Sequence, residues 1–397
     1  MTVTKPSDNN YFNALPSGRL GLIALQSCTE LGRKVNDYLV EWRRARDFSG
    51  ESSLYHTDYC RDNYLIPHKM SRFGTGEGKG VINDSIRGDD MFILVDICNY
   101  SITYRMFGYE NRMSPDDHFG DLKRVIAAIG GKARRINVIM PFLYESRQNV
   151  RNGRESLDCA LALQELVRMG VENIITFDAH DPRVQNAIPR HGFETVTCSY
   201  QFIKNILRYG KDVKVDSEHL MVISPDEAGM KRSIYLANNL GVDMGMVYRR
   251  RNYSTIVNGR NPIVAHEFLG TDVEGKDMII MDDMLSSGNT LIEVSSLLKK
   301  MGARNIYFCA TFGMFTNGLE RINQAYKEGL FTNIFTTNLV YQRPELQQQP
   351  YYHCCDLSKY IALLIDTLNH DTSISDLLDP AARIQKVLRR YADGEEI

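Results

Sequence analysis

The chain has 397 residues, 43% apolar and 24% charged, which is ample for a sizeable core and more than one compact domain usually holds. Its 47 Lys and Arg against 49 Asp and Glu leave a net charge of -2, so no global basic field exists to collect nucleic acid or an anionic membrane. Any bound anion needs a local site. The longest apolar stretches, such as MFILVDIC from Met91, fall far short of the roughly 20 residues that span a bilayer. The opening MTVTKPSDNN has neither the basic start nor the apolar core of a signal peptide, so a cytoplasmic protein is expected. Eight Cys are scattered without a CxxC, and those inside apolar runs, Cys98 and Cys309, read as reduced, small hydrophobic residues.

Short runs rich in Ile, Val and Met alternate with amphipathic stretches of helical length, the pattern of parallel strands joined by helices. In chain order, a strand at 21–25 precedes a helix at 30–46 and an irregular, polar segment at 47–69. Next come a strand at 91–96, a helix at 116–128, a strand at 136–140, a helix at 158–169 and a strand at 174–178. A second series has a strand at 220–223, a helix at 231–240, a strand at 244–248 and an irregular loop at 252–261. It continues with a strand at 278–281, a helix at 290–301, strands at 306–310 and 334–337 and a helix at 356–368. From Asp379 the chain reads as a charged helix ending in DGEEI.

The fold class is therefore α/β. Three junctions resemble one another: GKARRINVIM from Gly131, GVENIITFDAH from Gly170 and GARNIYFCATF from Gly302. Each sets Gly shortly before an Ile-bearing strand. Either the Gly merely ends a helix, as it commonly does, or the chain contains two related α/β domains.

The richest segment is MIIMDDMLSSGNTL, residues 278–291. Four apolar residues make a buried strand, Asp282 and Asp283 sit at its carboxyl end, and small residues then open a helix. In an open parallel sheet, ligands bind outside the carboxyl ends of strands, and a helix N-terminus offers unpaired N–H groups to a phosphate. The arrangement suits a sugar phosphate, with the phosphate on the backbone of Ser286, Ser287, Gly288, Asn289 and Thr290 and the hydroxyls on the two carboxylates. An ordinary N-capping turn is the bland alternative, but it leaves the adjacent acids unexplained.

This segment resembles the phosphoribosyl diphosphate signature of type I phosphoribosyltransferases and ribose-phosphate diphosphokinases. SRFGTGEGKGVINDSIRGDDM (71–91), MPFLYESRQ (140–148), ITFDAHD (175–181), VISPDEAGMKR (222–232) and DTSISDLL (371–378) resemble, in that order, the diphosphokinases, also called phosphoribosyl pyrophosphate synthetases. The resemblance implies two phosphoribosyltransferase-like domains, each a mainly parallel sheet flanked by helices. Expected boundaries are 1–197 and 198–350, with 351–397 a helix and charged tail packing back on the first domain. It also implies transfer of the diphosphoryl group of ATP to ribose 5-phosphate, a homo-oligomer with active sites at subunit interfaces, and substrate sites at the junction of the domains.

By resemblance His180 touches magnesium (Mg2+) and the triphosphate, Asp226 completes the metal ligation and joins the ribose 5-phosphate site, and Asp178 contributes to the metal. Read from the residues alone, a His beside an apolar strand is more often structural, because hard cations prefer oxygen. Arg249 and Arg251 in YRRRNYS match a catalytic Lys-x-Arg loop; they project to one side if the strand continues. Phe73, Thr75 and Glu77 match an adenine-binding hairpin, and Arg147 and Gln148 a pair near the triphosphate. The chain departs from the common pattern in having Arg249 for Lys, Thr75 for Asn, Ser286 for an acid, and a short stretch after His180. These departures keep open a noncatalytic regulatory homologue and an enzyme acting on another ribose phosphate. A phosphoribosyltransferase is a third alternative.

Overall fold

The computed structural model describes residues 15–46, 58–251 and 263–397, with only the backbone described at 249–251 and 263–266. Residues 47–57 of the first irregular segment, the whole of the second at 252–261, and the side chains of Arg249 and Arg251 lie outside the described residues. The chain divides into two compact units: one runs through Val196 and takes in Leu357–Asp379, the other comprises Thr197–Asp356 and Pro380–Ile397.

The first unit contains β1 (Leu20–Ala24), α1 (Thr29–Ala45), β2 (His68–Arg72), β3 (Gly78–Ile82), β4 (Asp90–Leu94), β5 (Thr103–Met106) and β6 (Tyr109–Arg112). After them come α2 (Pro115–Ile129), β7 (Arg135–Ile139), α3 (Asp158–Arg168), β8 (Asn173–Phe177) and β9 (Gly192–Val196). The sheet has order β1-β4-β7-β8-β9, and every neighbouring pair is parallel. Strands β1 and β4 are buried along their whole length, as a parallel sheet covered on both faces requires. Helix α2 starts at a capping box formed by Ser114 and Asp117 and stops at Gly130, whose φ of 58° suits glycine. Two antiparallel hairpins, β2–β3 and β5–β6, stand apart from this sheet.

The second unit begins with α4 (Ser199–Tyr209), β10 (Leu220–Ser224), α5 (Met230–Leu240), β11 (Asp243–Arg251) and β12 (Ile263–Leu269). It continues through β13 (Asp277–Leu285), α6 (Asn289–Lys300), β14 (Ile306–Gly313), α7 (Glu320–Lys327), β15 (Asn333–Thr337) and β16 (Tyr352–Cys355). Its sheet has order β12-β11-β10-β13-β14-β15-β16, parallel except for the β11–β12 pair. From β10 the chain crosses through α5 to β11; from β13 it crosses through α6 in the opposite direction to β14. The order therefore reverses between β10 and β13, which opens a crevice at their carboxyl ends. Met221, Ile223, Met278, Ile280, Phe308 and Ile334 are core residues beneath that crevice, all buried.

Three helices close the chain: α8 (Ser358–Asn369), α9 (Ser375–Leu378) and α10 (Ala381–Ala392). In the first unit, Arg43 of α1 donates to Asp366 of α8 at 2.9 Å and to Asn369 at 2.6 Å, and its guanidinium covers the Tyr59 ring at 4.5 Å. Arg135 forks onto fully buried Asp90 at 2.8 and 2.7 Å and donates to the Leu368 carbonyl. These contacts tie α8 to the amino ends of β4 and β7, away from the carboxyl ends. In the second unit α10 packs on α4 and α5, with Tyr391 donating to the Val213 carbonyl at 2.9 Å and Gln385 to that of Asn239 at 2.8 Å. The closing segment, expected as one piece from 351 onward, is thus divided between the units at Asp379 and Pro380.

Candidate active site

Strand β13 runs on through Leu285, past the expected end at 281, so Asp282 and Asp283 lie within its final residues, and the small-residue turn follows directly from Ser286. Asp283 is buried; its backbone N–H donates to the Asp282 carboxylate at 2.8 Å. Burial first, then the Asp283 carboxylate and that of Asp226, push the Asp282 carboxyl well above the usual range, with Arg232 opposing them. Negative charge is thus crowded at the point where strand order reverses. A cation or a set of hydroxyl donors relieves it.

Asp226 follows β10 across the same crevice. Ser224 Oγ donates to the Asp226 carbonyl at 2.7 Å, and the Gly229 N–H donates to Asp226 Oδ1 at 3.0 Å, so the carboxylate is held by its own loop. After β13, Gly288 adopts φ 81° and a Cβ there would lie 3.1 Å from Ile322, so glycine both makes the turn and allows the close approach. The N-cap Gly288 offers no side chain to α6, and the Asn289 N–H reaches Ser287 Oγ only at 3.5 Å, so the start of the helix is weakly capped. Ser286 Oγ pairs with Thr316 Oγ1 at 3.1 Å, and Arg321 donates to Asn289 Oδ1 at 2.7 Å. Arg232, Thr316 and Arg321 were not singled out from sequence; only Arg232 lies within a recognised motif.

Beyond the carboxyl end of β10, β11 continues paired only with the edge strand β12, from Met246 to Arg251, with an irregular register between Arg250 and Arg251. The strand carrying Arg249 and Arg251 does continue, through Arg251. The shift skips Val264 on β12, while Arg249, Arg250 and Arg251 pair consecutively along β11.

In the first unit Asp178 follows β8, buried, with φ 34°, a left-handed conformation uncommon outside glycine. Its N–H donates to the Val196 carbonyl at 2.9 Å, and the next residue's N–H to Thr195 Oγ1 at 3.0 Å, so strand β9 fixes the turn that presents half-buried His180. Arg147 is exposed, close enough to Cys98 to lower its thiol pKa against the larger, opposite effect of burial. Gln148 donates to the Ser156 carbonyl at 2.7 Å and so braces its own loop. At the β2–β3 turn Phe73 is exposed rather than a core anchor, and Thr75 Oγ1 donates to Glu77 at 2.8 Å. A cleft of about 500 Å³ beside the end of β1, lined by Gln26, Thr29, Asn63 and His68, contains none of the predicted site residues.

Among the described residues no three His, Cys, Asp or Glu side chains gather into a ready-made metal site. A magnesium ion usually takes one or two carboxylates and completes its shell with water and substrate phosphates. The crowded carboxylates at Asp282, Asp283 and Asp226 provide the charge that such an ion requires.

A parallel sheet with reversed strand order, carboxylates at the reversal and an open helix N-terminus together define a phosphoribosyltransferase-like α/β protein, with a second parallel-sheet unit in the same chain. The family model for the N-terminal domain of ribose phosphate pyrophosphokinase matches residues 20–170, and that for the phosphoribosyl transferase domain matches residues 200–349. The ribose-phosphate pyrophosphokinase of Corynebacterium efficiens is 31% identical over 271 residues, covering 68% of this chain and 76% of the relative. That of Pasteurella multocida is 27% identical over 310 residues, covering 77% and 89% respectively. This chain belongs to the ribose-phosphate pyrophosphokinase family. The crystal structure of phosphoribosylpyrophosphate synthetase from Mycobacterium smegmatis shares the fold, with TM-score 0.69 and 20% identity over 89% of this chain and 99% of that one. No helix among the described residues is long and apolar enough to cross a membrane.

Proposed function

We propose that the protein is a ribose-phosphate diphosphokinase that makes 5-phosphoribosyl 1-diphosphate and AMP from ATP and ribose 5-phosphate. The anomeric oxygen attacks the β-phosphorus of ATP, the bond from that phosphorus to the α,β-bridging oxygen breaks, AMP leaves, and the anomeric hydroxyl releases its proton. The carboxylate cluster at the strand reversal, next to the open start of α6, is the observation that carries this reading.

Asp282 and Asp283 accept the ribose hydroxyls, and the backbone from Ser286 to Thr290 takes the 5-phosphate. Asp226 is the second unit's candidate for magnesium; His180 and Asp178 are the first unit's. Magnesium, when bound, neutralises triphosphate oxygens and so lowers the cost of in-line displacement. Arg147 and Gln148 orient the triphosphate, while Phe73, Thr75 and Glu77 take the base. Arg249 and Arg251 stabilise charge on the group in transfer; Arg at 249 keeps the charge and exchanges a compact ammonium for a planar fork. The reading includes a homo-oligomer.

Titration calorimetry of both substrates tests the assignment. Asp283→Ala is expected to weaken ribose 5-phosphate binding about tenfold, the loss of a charged hydrogen bond worth roughly 1.5 kcal/mol, with ATP binding nearly unchanged. Equal losses for both substrates would contradict the roles given to the cluster.

A further inference from the structure

Hairpin β5–β6 is an element without a role in the reading above, and it is fastened to the turn of β2–β3. The Phe107 N–H donates to the Gly74 carbonyl at 2.7 Å. A Cβ on Gly76 would fall 2.6 Å from Met106 Sδ, so the second hairpin lies directly against the Gly-rich turn. Tyr109 is the cross-strand partner of Met106 and therefore shares the face that covers Gly76. Phe107 sits at φ 50° and Gly108 at φ 84°, the two positive values that a tight two-residue hairpin turn requires, so the turn sets Phe107 at the tip.

Burial does not account for the aromatic side chains of this tip. Phe73 is 55% exposed, Phe107 71% and Tyr109 76%. Four aromatic side chains are exposed among the described residues, and only Tyr209 lies elsewhere. Between them the backbone is bare: a Cβ on Gly74 would meet nothing within 4 Å. An open peptide strip flanked by exposed rings is the shape that accepts a flat heterocycle, whose faces stack on aromatic side chains.

We propose that Phe107 and Tyr109 are base-binding residues, so that the two hairpins together form one aromatic clamp for the adenine of ATP. The inference rests on the β2–β3 turn being the nucleotide hairpin of the proposed function, and it adds a second element to that site. Phe107 and Tyr109 supply ring faces, whereas Thr75 and Glu77 supply the polar edge contacts.

The test compares ATP with inorganic tripolyphosphate, which has the same polyphosphate and no base. Both are titrated with magnesium into the full-length protein and into Phe107→Ala, Tyr109→Ala, Phe107→Tyr and Phe73→Ala. Phe107→Ala and Tyr109→Ala are expected to weaken ATP binding about tenfold and to leave tripolyphosphate binding within twofold. Phe107→Tyr, which keeps a ring, is expected to restore ATP affinity, and the sedimentation coefficient should not change. Unaltered ATP affinity in both alanine variants with a loss in Phe73→Ala would overturn the clamp and leave the first hairpin standing. No loss in Phe73→Ala either would overturn the underlying nucleotide reading. Loss of affinity accompanied by dissociation of subunits, or equal loss for tripolyphosphate, would make this tip a structural interface and overturn the proposal.

Discussion

Asp282 shows at the scale of one residue how the site stores unfavourable charge. Burial and two neighbouring carboxylates raise its carboxyl above the unfolded value of about 3.9, so the folded protein holds that proton more tightly than the unfolded chain does. The stability this contributes is complete below the unfolded value and declines as pH rises through the folded one. Asp282→Asn should therefore raise the thermal midpoint near neutral pH, with the gain shrinking as pH falls toward 4, while ribose 5-phosphate binding weakens. An Asn variant less stable than the parent at pH 7 would contradict this. The acid pair was legible because two carboxylates after an apolar run and before small residues have few other uses. Asp226 and His180 carry no such local signal, and their proposed roles come only from the ordered set of motifs.

At the scale of elements, the return of α8 to the first unit rests on a buried ion pair. Burial alone would raise the Asp366 carboxyl, but Arg43, Arg46 and His370 outweigh it and hold the carboxyl below its usual range. That contribution to stability is present above about pH 3.9 and is lost as pH falls through the lowered value. Asp366→Ala leaves Arg43 buried without its partner carboxylate and is expected to cost about 3–5 kcal/mol. Chemical unfolding of the first unit measures this, and a cost under about 1 kcal/mol would show the pair to be unimportant. The helix-strand alternation was legible because fully buried strands and long amphipathic helices leave strong patterns. Hairpins β2–β3 and β5–β6 were not, since HKMSR, GKGVI and YENR have no apolar period and TYRM alternates over only four residues. Helix α4 did have one, through Phe202, Ile203, Ile206 and Leu207, and is an element beyond those expected from the sequence. The three Gly junctions show both meanings at once: Gly131, Gly170 and Gly302 all take positive φ near helix ends. Two of the junctions also deliver an Arg fork, Arg135 to Asp90 and Arg304 to Asp277, onto a buried carboxylate at the start of a central strand.

For the whole molecule, near-neutral net charge initially meant only that an anion would need a local site. The second unit places carboxylates and an open helix start at one strand reversal, and the first unit presents His180, Arg147 and two joined hairpins. The proposed function, diphosphoryl transfer between two phosphorylated substrates, would draw on both sets. Phosphorus NMR of the protein with magnesium, ATP and ribose 5-phosphate tests this most directly. The account predicts equimolar AMP and a new pair of coupled diphosphate resonances on a ribose product that retains its 5-phosphate. Formation of ADP or inorganic phosphate in place of AMP, or no turnover at all under those conditions, would contradict it.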